Sequence, residues 1–229
     1  MCGRFTLTVT PEALAEQFHL DFVPALAPRF NIAPSQAVAI VRVRPENGLR
    51  SLEIVQWGLI PSWAEDPTIG ARLINARAEN LEEKPSFRAS YKYRRCLVAS
   101  DGFYEWKGKG RDKQPYYIRM MNGEPFGFAG IWDHWEDPDG SYVESCAIIT
   151  TEANERIRPI HERMPVIIAP ADYDLWLDLK LPATARLKPL LRPYPAEAML
   201  AYPVSPIVNS AVNEDPQCIE PAAKQDLFL

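Results

Sequence analysis

Apolar positions in this chain come in short runs that alternate with polar ones and are repeatedly cut by proline and charged clusters. The runs at Ala37–Val43, Leu52–Trp57, Cys96–Ser100, Phe103–Lys107, Tyr116–Met121, Phe126–Trp132, Tyr142–Thr150 and Met164–Ala169 are rich in β-branched and aromatic residues and predict strands. Helices are predicted at Pro11–Phe18, where Thr10 can cap and proline suits the first helical position, and at Pro85–Tyr91, Pro170–Asp178 and Thr184–Leu190. Lys107 to Lys113, with its two glycines, reads as a solvated hairpin loop, and Asp137-Pro138-Asp139-Gly140 as a second turn. Strands outnumber helices, so the class is α+β: short, mostly antiparallel strands forming a curved sheet or partial barrel, with a few short peripheral helices.

Composition narrows this picture. Twenty-two prolines exclude long helices, because each removes a donor and clashes with the preceding turn. At 229 residues and 47% hydrophobic, with no repeat and no linker-like stretch, one domain spanning residues 1–229 is expected, with a loosely held tail at about 214–229. A net charge of -5 argues against non-specific coating of nucleic acid or membrane, although a basic groove can sit on an acidic whole. No apolar run is long enough to span a bilayer and the first residues lack the plan of a secretory signal, so a cytoplasmic protein without membrane contact is expected. Four cysteines lie far apart with no Cys-x-x-Cys pair, which suggests reduced thiols and neither a disulfide framework nor a zinc site.

The candidate chemistry starts at Cys2. If Met1 is trimmed, that residue carries both a thiol (reference pKa about 8.5) and an α-amine (about 7.7 to 8.0). The pair is suited to aldehydes: the amine condenses to a Schiff base and the thiol closes a five-membered thiazolidine. Three further segments carry polar groups with two readings each. Asn75 and Arg77, on one face of an extended stretch, can hold a hydroxyl and a phosphate, or can be a helix cap and a surface residue. Glu105, wedged among aromatics in Gly102-Phe103-Tyr104-Glu105-Trp106, is either a desolvated proton-transfer carboxylate or the solvent face of an amphipathic strand. His161, one of three histidines and two places before Arg163, can shuttle protons beside a phosphate site or be structural. Pro34, Trp63 and neighbouring rings offer surfaces on which bases stack, with core packing as the ordinary alternative.

The order Met1-Cys2-Gly3-Arg4-Phe5, Arg29-Phe30-Asn31-Ile32-Ala33-Pro34, Trp57-Gly58-Leu59-Ile60-Pro61-Ser62-Trp63, Ile74-Asn75-Ala76-Arg77-Ala78-Glu79, Gly102-Phe103-Tyr104-Glu105-Trp106 and His161-Glu162-Arg163-Met164-Pro165 closely resembles the SRAP family, the SOS-response-associated peptidases, over nearly the whole chain. The resemblance implies a DNA-repair protein that recognises abasic sites in single-stranded DNA and crosslinks to them through Cys2, with AP-lyase activity as a minor outcome. It implies catalytic roles for Cys2, Asn75, Glu105 and His161, and DNA contacts from Arg4, Pro34, Trp63, Arg77, Trp106 and Arg163. It implies a monomer that needs no cofactor or metal and is nucleoid-associated in a bacterium. A cysteine-dependent peptidase acting on its own initiator bond, and a non-enzymatic single-strand binder, are the alternatives from other classes. Two stretches depart from the family pattern: Ala64-Glu65, where some relatives carry a second large aromatic, and Asn154 to Ile160, with Arg156 and Arg158.

Overall fold

A five-membered ring of strands cannot alternate direction all the way round, so at least one neighbouring pair must run parallel. That constraint organises the computed structural model, which describes residues 2–108, 110, 113–137, 139–178, 180–181 and 186–222. Among the described residues the strands are β1 (Phe5–Leu7), β2 (Arg29–Ile32), β3 (Ala37–Val43), β4 (Arg50–Trp57), β5 (Asn75–Arg77), β6 (Arg95–Ser100), β7 (Gly102–Lys107), β8 (Gln114–Met120), β9 (Phe126–Glu136), β10 (Tyr142–Glu152), β11 (Arg163–Pro165), β12 (Ile167–Ile168) and β13 (Met199–Pro203). Three α-helices accompany them: α1 (Pro11–Phe18), α2 (Pro85–Tyr93) and α3 (Tyr173–Leu177). The ring runs β10, β4, β3, β6, β9 and back to β10, and its parallel seam is β4 against β10, through Ser145↔Gln56 and Cys146↔Trp57. Closure removes the exposed edges that an open sheet would carry. β5 adds to β10, also in parallel.

The second sheet, in the order β13-β8-β7-β1-β2, is antiparallel throughout and packs on the barrel. Phe5 and Phe103, opposite each other on β1 and β7, point their rings into the barrel wall, where Phe5 meets Trp57 at 5.1 Å and both meet Phe128 at 5.8 Å, edge to face. Burying such a ring contributes about 2–3 kcal/mol. Strand alternation sends Tyr104 and Tyr117 to the other face, where Val204, Val208 and Cys218 of the C-terminal segment cover them. The layers are therefore barrel, sheet and C-terminal strap. Gly102 is required at the start of β7, since a Cβ there would lie 2.1 Å from the Tyr117 hydroxyl.

The predicted α+β class and its short, mostly antiparallel strands are borne out, and the partial barrel is a closed one. β3 and α1 have the predicted bounds; the other long strands gain or lose one to four residues at their ends. Met164–Ala169 is not one strand. It crosses the barrel end, with β11 on β10 and β12 on β9, and Val166 between them bonds Ile149 through its N–H and Ala129 through its carbonyl, both at 2.8 Å. Pro170–Asp178 starts as a 3-10 turn and becomes helical only over α3. Thr184–Leu190 is reduced to a 3-10 turn at Lys188–Leu190, its first residues lying outside the described ones, as do Met1, Lys109, Arg111, Asp112 and Pro138.

The expectation of a loose tail from residue 214 needs correcting as far as residue 222. Glu214 accepts from the backbone N–H groups of Phe30 (2.8 Å) and Asn31 (3.1 Å) and pairs with Arg29 at 2.7 Å; Cys218 is fully buried, and Ala222 donates to Pro203. Residues 223–229 lie outside the described ones.

Asp101 staples the N-terminal strand at the other end. Its buried carboxylate accepts from the Thr6 hydroxyl, the Thr8 hydroxyl, Thr8 N–H (2.6 Å) and Val9 N–H (3.1 Å). Asp101→Ala removes the acceptor shared by these four donors, of which the Thr6 hydroxyl is fully buried, and the expected loss is about 2–4 kcal/mol, read as a lower urea midpoint with unchanged slope.

Candidate functional site

β1 carries the N-terminal residues to the edge of β7. Tyr104 N–H donates to the Arg4 carbonyl at 3.0 Å, which extends the ladder past Phe5 and brings Cys2, fully buried, within the field of Glu105. From the opposite side, β5 supplies Asn75, whose Nδ2 donates to the Cys2 carbonyl at 2.7 Å. Ala76 between Asn75 and Arg77 is buried in the core, so strand alternation turns both polar side chains outward, Asn75 half-buried and Arg77 exposed. The Oδ1 of Asn75 is buried and has no hydrogen-bond partner among the described residues. An amide that grips the cysteine backbone with one end thus presents an unsatisfied acceptor with the other.

Glu105 shares a face of β7 with Phe103 and is 2% exposed, so the solvent-facing reading is overturned. Burial pushes its carboxyl up to about 7, only partly offset by nearby positive charge and a hydrogen bond from the Trp106 backbone. A carboxyl that titrates near neutrality can both take and give a proton there. Burial also pushes the Cys2 thiol well above its ordinary range, and the Glu105 charge adds to that, so sulfur reacts only once a neighbour accepts its proton.

His161 ends a tight turn in which Ile157 accepts its backbone N–H at 2.9 Å and Asn154 caps Ile157 through its side chain at 3.0 Å. The Arg163 backbone brackets His161 Nδ1, with its N–H at 2.9 Å and its carbonyl at 3.1 Å, and so fixes the orientation of the ring. Burial lowers the pKa of this half-buried ring, so the neutral form prevails at pH 7.

The residues assigned to DNA contact divide into two groups. Arg77 is exposed, Trp63 is 58% exposed and Pro34 is partly exposed beside Ser35, which holds a positive φ of 70°. Arg4, in contrast, spends Nη1 on Asn31 Oδ1 (2.6 Å) and the Val208 carbonyl (2.9 Å), with its guanidinium 5.9 Å from the Trp106 ring. Trp106 is tied to Asn209 at 2.7 Å. Arg163 forks onto Glu79 and donates to the Thr150 carbonyl. Arg4 and Trp106 are thus struts that brace the N-terminal segment against the C-terminal strap.

Sequence reasoning passed over the groups that hold this arrangement. Asn31 is fully buried and its Nδ2 donates to the carbonyls of Val208 (3.2 Å), Ser210 (2.9 Å) and Asn213 (2.9 Å); the only local signal was an amide inside the apolar run Phe30-Asn31-Ile32. Glu79 and Glu214 have partners 84 and 185 residues away, beyond any local pattern. A cavity of about 650 Å³ lined by Arg42, Arg44, Tyr93 and Trp132 includes none of the candidate residues, and Arg42 there is already paired with Glu53 and Glu144. Arg156 and Arg158, the departures from the family pattern, donate to the Ala196 and Ala153 carbonyls. Among the described residues no group of three or more His, Cys, Asp or Glu is placed to hold a metal ion.

The family model described as SOS response associated peptidase (SRAP) matches residues 1–211. The chain is similar to the abasic site processing protein YoqW of Bacillus subtilis, at 44% identity over 225 residues covering 96% of this chain and 99% of the relative. It is also similar to the abasic site processing protein HMCES of Xenopus tropicalis, at 34% identity over 74% of this chain and 57% of the relative. A crystal structure of a protein from Bacteroides thetaiotaomicron superposes with a TM-score of 0.84 at 29% identity, covering 97% of this chain and 100% of the other. The chain belongs to the SRAP family.

Proposed function

We propose that the protein captures abasic sites in single-stranded DNA as a covalent thiazolidine on Cys2, shielding the lesion. The observation that carries this reading is the clasp at the N-terminus: Asn75 fixes the Cys2 carbonyl at 2.7 Å and offers a buried Oδ1 that has no partner among the described residues, while Glu105, whose charge reaches the Cys2 thiol, titrates near neutrality. Relatives described as abasic site processing proteins support it.

The chemistry follows from the groups present. Once Met1 is removed, the ring of the abasic deoxyribose opens as Glu105 relays the C1′ hydroxyl proton to the ring oxygen, which His161 holds by a hydrogen bond. The α-amine of Cys2 adds to the aldehyde carbon, and the carbinolamine loses water, its oxygen protonated by Glu105, to leave a Schiff base. Sulfur then bonds to C1′ while its proton passes to the imine nitrogen, closing the ring with the net loss of one water. Asn75 Oδ1 accepts from the amine or from the freed sugar hydroxyl. Where the Schiff base forms without closure, β-elimination at the 3′ phosphate gives a minor lyase outcome. The same thiol attacking the Met1 carbonyl is the peptidase reading, confined to self-processing. All four groups come from one chain, so the capture needs no residue from a second copy.

Incubation with single-stranded DNA carrying one abasic site tests this. The expected product is heat-stable, with the mass of protein lacking Met1 plus DNA less one water, and is absent with intact DNA. No adduct from a chain confirmed to begin at Cys2 would refute the reading.

A further inference from the structure

An anion-binding site is an unfavourable place for an acid, yet Glu79 sits between the two arginines expected to meet phosphates. It follows Arg77 in the 3-10 turn Ala78–Asn80, and its carboxylate closes a two-bond fork on Arg163, Nη1 to Oε1 at 2.7 Å and Nη2 to Oε2 at 2.9 Å. Arg163 is further anchored by the Thr150 carbonyl at 2.7 Å, and the strand order explains why these groups meet. β5 and β11 flank β10, with Arg77 and Pro165 both opposite Thr150. Arg163, first, and Arg77 hold the Glu79 carboxyl below its usual range, so it is ionised at neutral pH.

A carboxylate presents the same pair of oxygens that a phosphate offers to a guanidinium fork. We infer that Glu79 is a specificity-determining residue that occupies Arg163 as an internal phosphate mimic, so that undamaged single-stranded DNA must displace it to gain the Arg163 contact. Weak grip on intact DNA then leaves discrimination to the covalent step at Cys2, which only an aldehyde completes. This inference rests on the single-stranded DNA reading above.

The test compares wild type, Glu79→Gln, Arg163→Gln and the double variant for binding to an undamaged fluorescent oligonucleotide across a salt series. The Glu79 side chain is 52% exposed and glutamine keeps its shape, so the substitution removes charge without disturbing packing. Glu79→Gln should bind more tightly, on the order of threefold, with a plot of log K against log salt steeper by about 0.7, the change expected for one more phosphate contact. In the Arg163→Gln background most of that gain should vanish. Adduct yield on an abasic oligonucleotide challenged with excess intact DNA should fall in Glu79→Gln by a similar factor. Unchanged affinity and slope, or an equal gain with and without Arg163, would overturn the inference. The binding series needs no adduct, so a wild type that binds but never crosslinks defeats the abasic-site reading alone.

Discussion

Cys2→Ala is expected to abolish the heat-stable adduct while changing affinity for single-stranded DNA by less than about twofold. The substitution removes only Sγ, whose one described hydrogen bond is to the Arg4 carbonyl at 3.8 Å, and the clasp from Asn75 holds the backbone rather than the thiol. The variant keeps an α-amine once Met1 is removed, so it still forms a Schiff base but cannot close the ring. Borohydride should therefore trap a covalent species that heat alone does not reveal, and strand cleavage by β-elimination should rise. A gel with and without reductant separates three readings. A passive binder gives no trapped species in either protein, and a peptidase loses turnover on its own initiator bond without any DNA product.

Glu105→Gln is expected to slow crosslinking by about 10²-fold or more, the usual contribution of a positioned acid or base. Its pH dependence is the sharper signature. In the wild type the rate should bend near pH 7 as the carboxyl titrates, and the bend should disappear in the variant. The same residue predicts an opposite effect on stability. Because the folded-state carboxyl is raised from 4.5 to about 7, its contribution is intact below pH 4.5 and is lost as pH climbs through 7. Wild type thus carries a buried, ionised group above neutrality that the amide lacks. Glu105→Gln should melt close to wild type at pH 4.5 and be more stable at pH 8, on the order of 2–3 kcal/mol. A variant that crosslinks at the wild-type rate, or is destabilised at pH 8, would remove Glu105 from its assigned role.

Some of this was legible in the residues and some was not. The long strands and α1 announce themselves because alternation and capping are local: Thr10 needs only Ala13 three residues on, and Ala37–Val43 shows its own faces. The strands β1, β2, β5 and β13, of three to five residues, carry too few positions for a pattern and exist because longer neighbours offer them a ladder. Cys2, Asn75, Glu105 and His161 stood out by residue type and by resemblance, yet composition left Glu105 undecided between core and solvent. Its face is set by Phe103 two residues earlier, and Phe103 points inward because the barrel wall at Phe128 receives it.

The order of the chain was enough to establish the α+β class, the motifs that mark the family and the aminothiol chemistry available at Cys2, since each depends on covalent structure or on contacts within a few residues. Folding alone could decide that five strands close with a parallel seam, that Arg4 and Arg163 are engaged by Asn31 and Glu79, and that the segment after Glu214 clamps the N-terminal sheet. Those outcomes rest on groups up to 204 residues apart, and they become neighbours only when burial of the shared core brings the layers together.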